Sequence, residues 1–124
     1  MSLIFPNPRC AALALALAMS FLLAGCKAER RLSDAELGLT AEQARGRRVF
    51  DNNCARCHQP YSGSALHGPS LKGVYKKEFL PSGRPANDQR ITETVRYGRD
   101  KMPAFGDSLT PEQIQTLLAY LKTL

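Results

Sequence analysis

The 124-residue sequence has no tryptophan, only four cysteines, two histidines and three methionines, and no internal repeat. No stretch alternates apolar and polar residues over the length of a strand, which argues against a sheet protein. Beyond an Ala/Leu-rich N-terminus there is no low-complexity tract. No basic block interleaves with aromatic residues, so the formal net charge of +6 does not point to nucleic acid. Four cysteines at these positions leave no pair for a disulfide framework. Two histidines do not supply a second pair at common zinc spacing. What is present is "NNCARCHQP", residues 52–60, where Cys54 and Cys57 stand three apart and His58 follows directly.

The N-terminus, "MSLIFPNPRC AALALALAMS FLLAGC", reads as an export signal. Arg9 is the only charge before Lys27, and the apolar run from Ala11 to Ala24 falls short of the roughly 20 residues of a membrane span. "LLAGC", Leu22–Cys26, resembles the lipobox of bacterial lipoproteins, where the chain is cut before a cysteine that then carries lipid. The resemblance implies a signal peptide over residues 1–25, a lipidated Cys26, and a protein held on the periplasmic face of a bacterial membrane. Each buried methylene adds about 0.8 kcal/mol, and more than one acyl chain makes such an anchor stable. An uncleaved N-terminal membrane helix is the alternative, and it too leaves the chain exported and tethered.

Cys10 leaves with the signal and Cys26 takes lipid, so only Cys54 and Cys57 remain. The exported compartment permits disulfides, but no structural pair is left. Residues 27–39, "KAERRLSDAELGL", carry three charges of each sign and few large apolar groups, so 26–39 is expected to be a flexible linker. Thirteen residues extend at most about 45 Å. The basic excess belongs to residues 40–124, a single domain, and suits encounter with an acidic partner surface as well as it suits ordinary solubility.

Capping signals frame that domain. "TAEQ" (Thr40–Gln43) has the capping-box form and opens a helix with Gly46, Val49 and Phe50 on one face. "TPEQIQTLLAYLKTL" begins with Thr110 as N-cap and Pro111 in the first turn. In it Ile114, Leu117, Leu118 and Leu121 recur at helical spacing. A third helix is expected over Asp88–Tyr97, ending at Gly98. Gly/Pro-rich loops connect them, so the fold class is all-α with three to four short helices. About 85 residues so arranged bury little apolar surface, and domains near this size are marginal without a staple. A large apolar cofactor would supply the missing centre.

Each reading of the CxxC makes its own demand. Zinc needs four ligands, and the mature chain offers Cys54, Cys57, His58 and His67 at a spacing that fits no common module. A thioredoxin-type dithiol opens a helix after a strand, whereas this pair follows a helix. Covalent haem c fits: two sulfurs three apart can each bond one vinyl group, and His58 is brought beneath the iron. The other nitrogen of His58 then needs an acceptor. For the sixth position the candidates are Met102 and His67. Met102 is the only methionine in the expected domain, 44 residues past His58 in "KMPAFGD", and Pro103 stiffens the backbone beside it. His67 follows His58 by nine residues and is expected to remain a proximal loop residue.

Residues 40–124 resemble the class I cytochromes c. "CARCH" (54–58) resembles their haem attachment motif, "GPSL" (68–71) their proximal loop and "MPAF" (102–105) the bacterial methionine-ligand loop. Gly46 and Phe50, with Leu117 and Tyr120, resemble the residues where the N- and C-terminal helices cross. The resemblance implies that the Pro69 carbonyl accepts a hydrogen bond from His58, and that the protein carries single electrons rather than acting as an enzyme. The missing tryptophan leaves any propionate contact to another group, for which Tyr75, Arg84 and Tyr97 are candidates. Loop 76–87 is expected to be a connector. Two alternatives keep the same fold: a haem subunit fixed in a larger dehydrogenase or oxidase, and an open-site sensor or peroxidase.

Overall fold

The computed structural model describes residues 31–124. The expected signal peptide, Cys26 and the first part of the expected linker lie outside the described residues. Three α-helices follow in order: α1 (Ala41–Asn53), α2 (Asp88–Tyr97) and α3 (Pro111–Leu121), with a 3₁₀ turn at Val74–Lys76. Among the described residues the only β pairings are isolated bridges, Phe79 with Pro85 and Arg99 with Met102. The domain is all-α, as expected.

The helix starts are chemical. At α1, Gln43 N–H donates to Thr40 Oγ1 at 3.2 Å, and Thr40 N–H donates to Gln43 Oε1 at 2.9 Å. The same reciprocal pair opens α3, between Thr110 and Gln113 at 3.2 and 2.8 Å, with Pro111 in the first turn. Each box satisfies two amides that the helix cannot, and losing such a cap costs about 1 kcal/mol. Helix α2 opens on Asn87, whose side chain accepts from Arg90 N–H, and stops at Gly98 with φ +70°.

Helices α1 and α3 cross closely. A Cβ on Gly46 would collide with the Thr116 carbonyl oxygen, so only glycine allows the approach. Phe50 and Tyr120, both fully buried, meet at the crossing with ring centroids 5.5 Å apart and planes tilted by 57°. Leu117 lies beside them, and α2 adds Ile91 and Val95 to the same core.

One feature differs from the sequence expectations. The expected linker 26–39 is not free along its described end. Leu37 and Leu39 N–H donate to the Ser33 and Asp34 carbonyls, and Asp34 Oδ1 pairs with Arg47 Nη1 at 2.7 Å. Ser33–Leu124 accordingly forms one unit. The reason is a buried arginine on α1: the Arg47 side chain is 6% exposed, and a desolvated guanidinium needs a carboxylate beside it. Loop 76–87, expected to be a connector, closes on itself. Leu80 and Gly83 N–H donate to the Arg84 and Leu80 carbonyls, making a closed turn. No helix among the described residues is long and apolar enough to cross a membrane.

Candidate haem centre

Where α1 ends, the Cys54 carbonyl accepts from Cys57 N–H at 3.0 Å and from His58 N–H at 2.9 Å. This double acceptance winds residues 54–58 into one tight turn carrying both thiols and the imidazole. Cys54 is buried, Cys57 half-buried, and the two are not joined as a disulfide. Burial first, with Asp51 and Cys57 adding, pushes the unattached Cys54 thiol up to about 11. Among the described residues no three His, Cys, Asp or Glu side chains converge on a point that could hold a metal ion. The zinc alternative therefore has no donor set.

The proximal loop folds back onto this turn. Gly68 N–H donates to the Cys57 carbonyl at 2.8 Å, and Leu71 N–H to the Gln59 carbonyl at 2.9 Å. The result sets His58 Nδ1 2.8 Å from the Pro69 carbonyl oxygen. A carbonyl can only accept, so Nδ1 carries the proton and Nε2 is left as the free base. A metal-ligating imidazole needs this tautomer. Gly68 lies flat against the ring, where an added Cβ would stand 2.6 Å from Cε1.

Met102 is positioned from α2. Arg99 and Met102 exchange backbone hydrogen bonds at 3.1 and 2.8 Å around Asp100, whose φ is +52°. Phe105 and Gly106 N–H then donate to the Val95 and Arg96 carbonyls at 2.9 and 3.0 Å, pinning "MPAFG" to the end of the helix. A Cβ on Gly98 would meet the Met102 carbonyl oxygen at 2.5 Å, so this return is also built on glycine. His58 and Met102 sit on separately pinned loops. Leu71, Leu80, Met102 and Phe105 pack on the core yet stay part-exposed, leaving apolar surface for a group to cover. An imidazole with a free Nε2, two sulfurs on its own turn, a thioether and an apolar cradle fit covalent haem.

The other named residues lie apart from this set. His67 is exposed on the loop. Arg84 pairs with Glu93 at 3.1 Å, and Tyr97 is 76% exposed. Tyr75 sits under the Lys122 ammonium, its hydroxyl buried with no hydrogen-bond partner among the described residues. One contact had no signal in the sequence: the Tyr61 hydroxyl, on the loop after His58, lies 2.8 Å from that of Tyr120 in α3. Burial first, then Tyr61, holds the Tyr120 phenol well above its ordinary range.

Fold and site define an all-α domain of the class I cytochrome c type. Residues 41–121 match the family model described as "Cytochrome C oxidase, cbb3-type, subunit III". Cytochrome c6 of Thermosynechococcus vestitus is 37% identical over 83 residues, covering 67% of this chain and 70% of that protein. The "Cbb3-type cytochrome c oxidase subunit FixP" of Sinorhizobium medicae is 37% identical over 86 residues, covering 64% of this chain and 29% of that protein. The solved structure of cytochrome c6 from the diatom Phaeodactylum tricornutum superposes with a TM-score of 0.52 at 32% identity, over 64% of this chain and 90% of that one. The chain belongs to the cytochrome c family. Its cofactor is covalently attached haem c, and it is an electron-transfer protein rather than an enzyme.

Proposed function

We propose that this is an exported electron carrier, lipid-anchored at Cys26, whose haem is attached through Cys54 and Cys57 and ligated by His58 and Met102. The observation that carries the ligation is the 2.8 Å contact of His58 Nδ1 with the Pro69 carbonyl, which leaves Nε2 basic beside the CxxC turn. Bound haem supplies a one-electron ferric/ferrous couple, and His/Met ligation raises its potential. The chain's own residues do the rest. The two pinned loops hold both ligands in place, and the apolar side chains of Leu71, Leu80 and Phe105 keep water from the centre. Held by both His58 and Met102, the iron would offer oxygen and peroxide no open site.

Docking partners follow from charge. Arg96, Arg99 and Lys101 are exposed on and beside the segment that carries Met102, and Asp100 offsets only Arg99, at 3.4 Å. That segment suits acidic surfaces on donor and acceptor proteins. A second reading, a haem subunit of a larger oxidase, is favoured by the family model and by FixP.

Adding carbon monoxide to the reduced holoprotein at neutral pH tests the closed site. An unchanged visible spectrum is expected; a carbonyl spectrum would show that Met102 is labile and would favour an open-site sensor or peroxidase. Colourless protein from a host able to attach haem would remove both readings. Stable co-purification with membrane oxidase subunits would select the fixed-subunit reading over the free carrier.

A further inference from the structure

We infer that the outward face of α1 docks on anionic lipid headgroups of the membrane that holds the anchor. Ala41, Arg45, Arg48 and Asn52 recur at i, i+4, i+7 and i+11, and all four are exposed. This spacing puts them on one face, and that face carries positive charge and no acid. Among the described residues neither Arg45 nor Arg48 forms an ion pair, whereas the acidic side chains Glu93 and Asp88 are already held by Arg90 and Lys122.

The tether favours the same helix. The chain is pinned to α1 at Asp34, through Arg47 on its buried side. From Cys26 to Asp34 the chain therefore spans at most about 29 Å. A 92-residue domain has a radius of gyration of about 12 Å, so this leash is no longer than the domain is wide. It keeps α1 close to the bilayer. Lys27, Arg30 and Arg31 against Glu29 make the leash itself basic. Each basic residue at an anionic surface strengthens attachment about fivefold, an effect that salt removes.

The inference rests on lipidation at Cys26 for its geometry, and its test separates the two. The haem-loaded, full-length protein is placed in oriented bilayers, either all phosphatidylcholine or roughly one-third phosphatidylglycerol. Polarised absorption of the haem band then reports whether the domain is held at a fixed angle. Dichroism is expected on the anionic bilayers alone, and it should vanish at high salt and in R45Q/R48Q. It should survive in R45K/R48K and in R96Q/R99Q.

An isotropic wild-type signal, or equal loss in R45Q/R48Q and R96Q/R99Q, would overturn the docking while the anchor stands. Unchanged haem spectra and urea midpoints establish that the variants are folded. The mass of the N-terminal peptide reads lipidation directly. If Cys26 carries no lipid, the anchor fails by itself, and docking is then read from vesicle binding. R45Q/R48Q should weaken that binding about 25-fold relative to wild type, and equal binding would overturn the inference.

Discussion

The Thr116 carbonyl oxygen occupies the space where a side chain on Gly46 would stand. The obstacle is backbone, so no rotamer change relieves it. Gly46→Ala gains about 1 kcal/mol in helix propensity but forces α1 and α3 apart at the Phe50–Tyr120 contact, and overpacking of this kind costs about 1–3 kcal/mol. The steric cost wins. Urea unfolding of the holoprotein should show Gly46→Ala destabilised by about 1–2 kcal/mol, and Gly46→Val by more.

Gly68 makes the matching approach at the site. A Cβ there would press on the His58 ring, with 2.6 Å to Cε1 and 3.0 Å to Nδ1. Gly68→Ala should tilt the imidazole and stretch its bond to the Pro69 carbonyl. A high-spin ferric component and carbon monoxide binding should appear in the visible spectrum. Gly63 has nothing within 4 Å of its would-be Cβ, so Gly63→Ala is the control and should be silent.

The Tyr61–Tyr120 hydrogen bond should respond unequally from its two ends. Tyr120 is fully buried and Tyr61 is 43% exposed. Tyr61→Phe strands a buried hydroxyl, costing about 1–3 kcal/mol, whereas Tyr120→Phe removes the buried group and leaves Tyr61 to water. Tyr61→Phe should therefore cost at least as much as Tyr120→Phe, and the double variant less than their sum. A double-mutant cycle in urea measures this.

Tyr120 also sets an alkaline limit. Its phenol is raised above 10.0 in the folded state, so the unfolded chain releases its proton first. The stability it contributes is complete below pH 10 and falls as pH rises beyond that value. The urea midpoint of wild type should decline above pH 10 more steeply than that of Tyr120→Phe.

Asp88 gives the acid counterpart. Lys122, 2.7 Å away, is the main cause holding its carboxyl below 3.8. A depressed folded value means stability present above the unfolded value and lost as pH falls through the folded one. Both side chains are about half exposed, so the pair contributes only about 0.5 kcal/mol. Asp88→Asn should be less stable than wild type from pH 5 to 8, and the difference should close below about pH 4.

Much of the site was legible because its chemistry is local. Cys54, Cys57 and His58 share a single turn, and the capping boxes at Thr40 and Thr110 lie within three residues of their partners. Helix periodicity and Gly98 likewise placed α2. The contacts that escaped reading are long-range: Arg47 with Asp34 across thirteen residues, and Tyr61 with Tyr120 across 59. Polar residues so separated carry no periodic pattern, and an arginine on a helix reads as solvated until its face is known to be buried.

By itself the sequence determined the helix limits, the haem-binding chemistry and the candidacy of Met102, since hydrogen bonds, propensities and side-chain reactivity act over a few residues. Only the tertiary structure decided that Tyr61 reaches Tyr120, that Gly46 admits the Thr116 carbonyl, and that Asp34 pairs with Arg47. Each of these depends on two distant segments arriving at one place, and packing of the whole core sets that place.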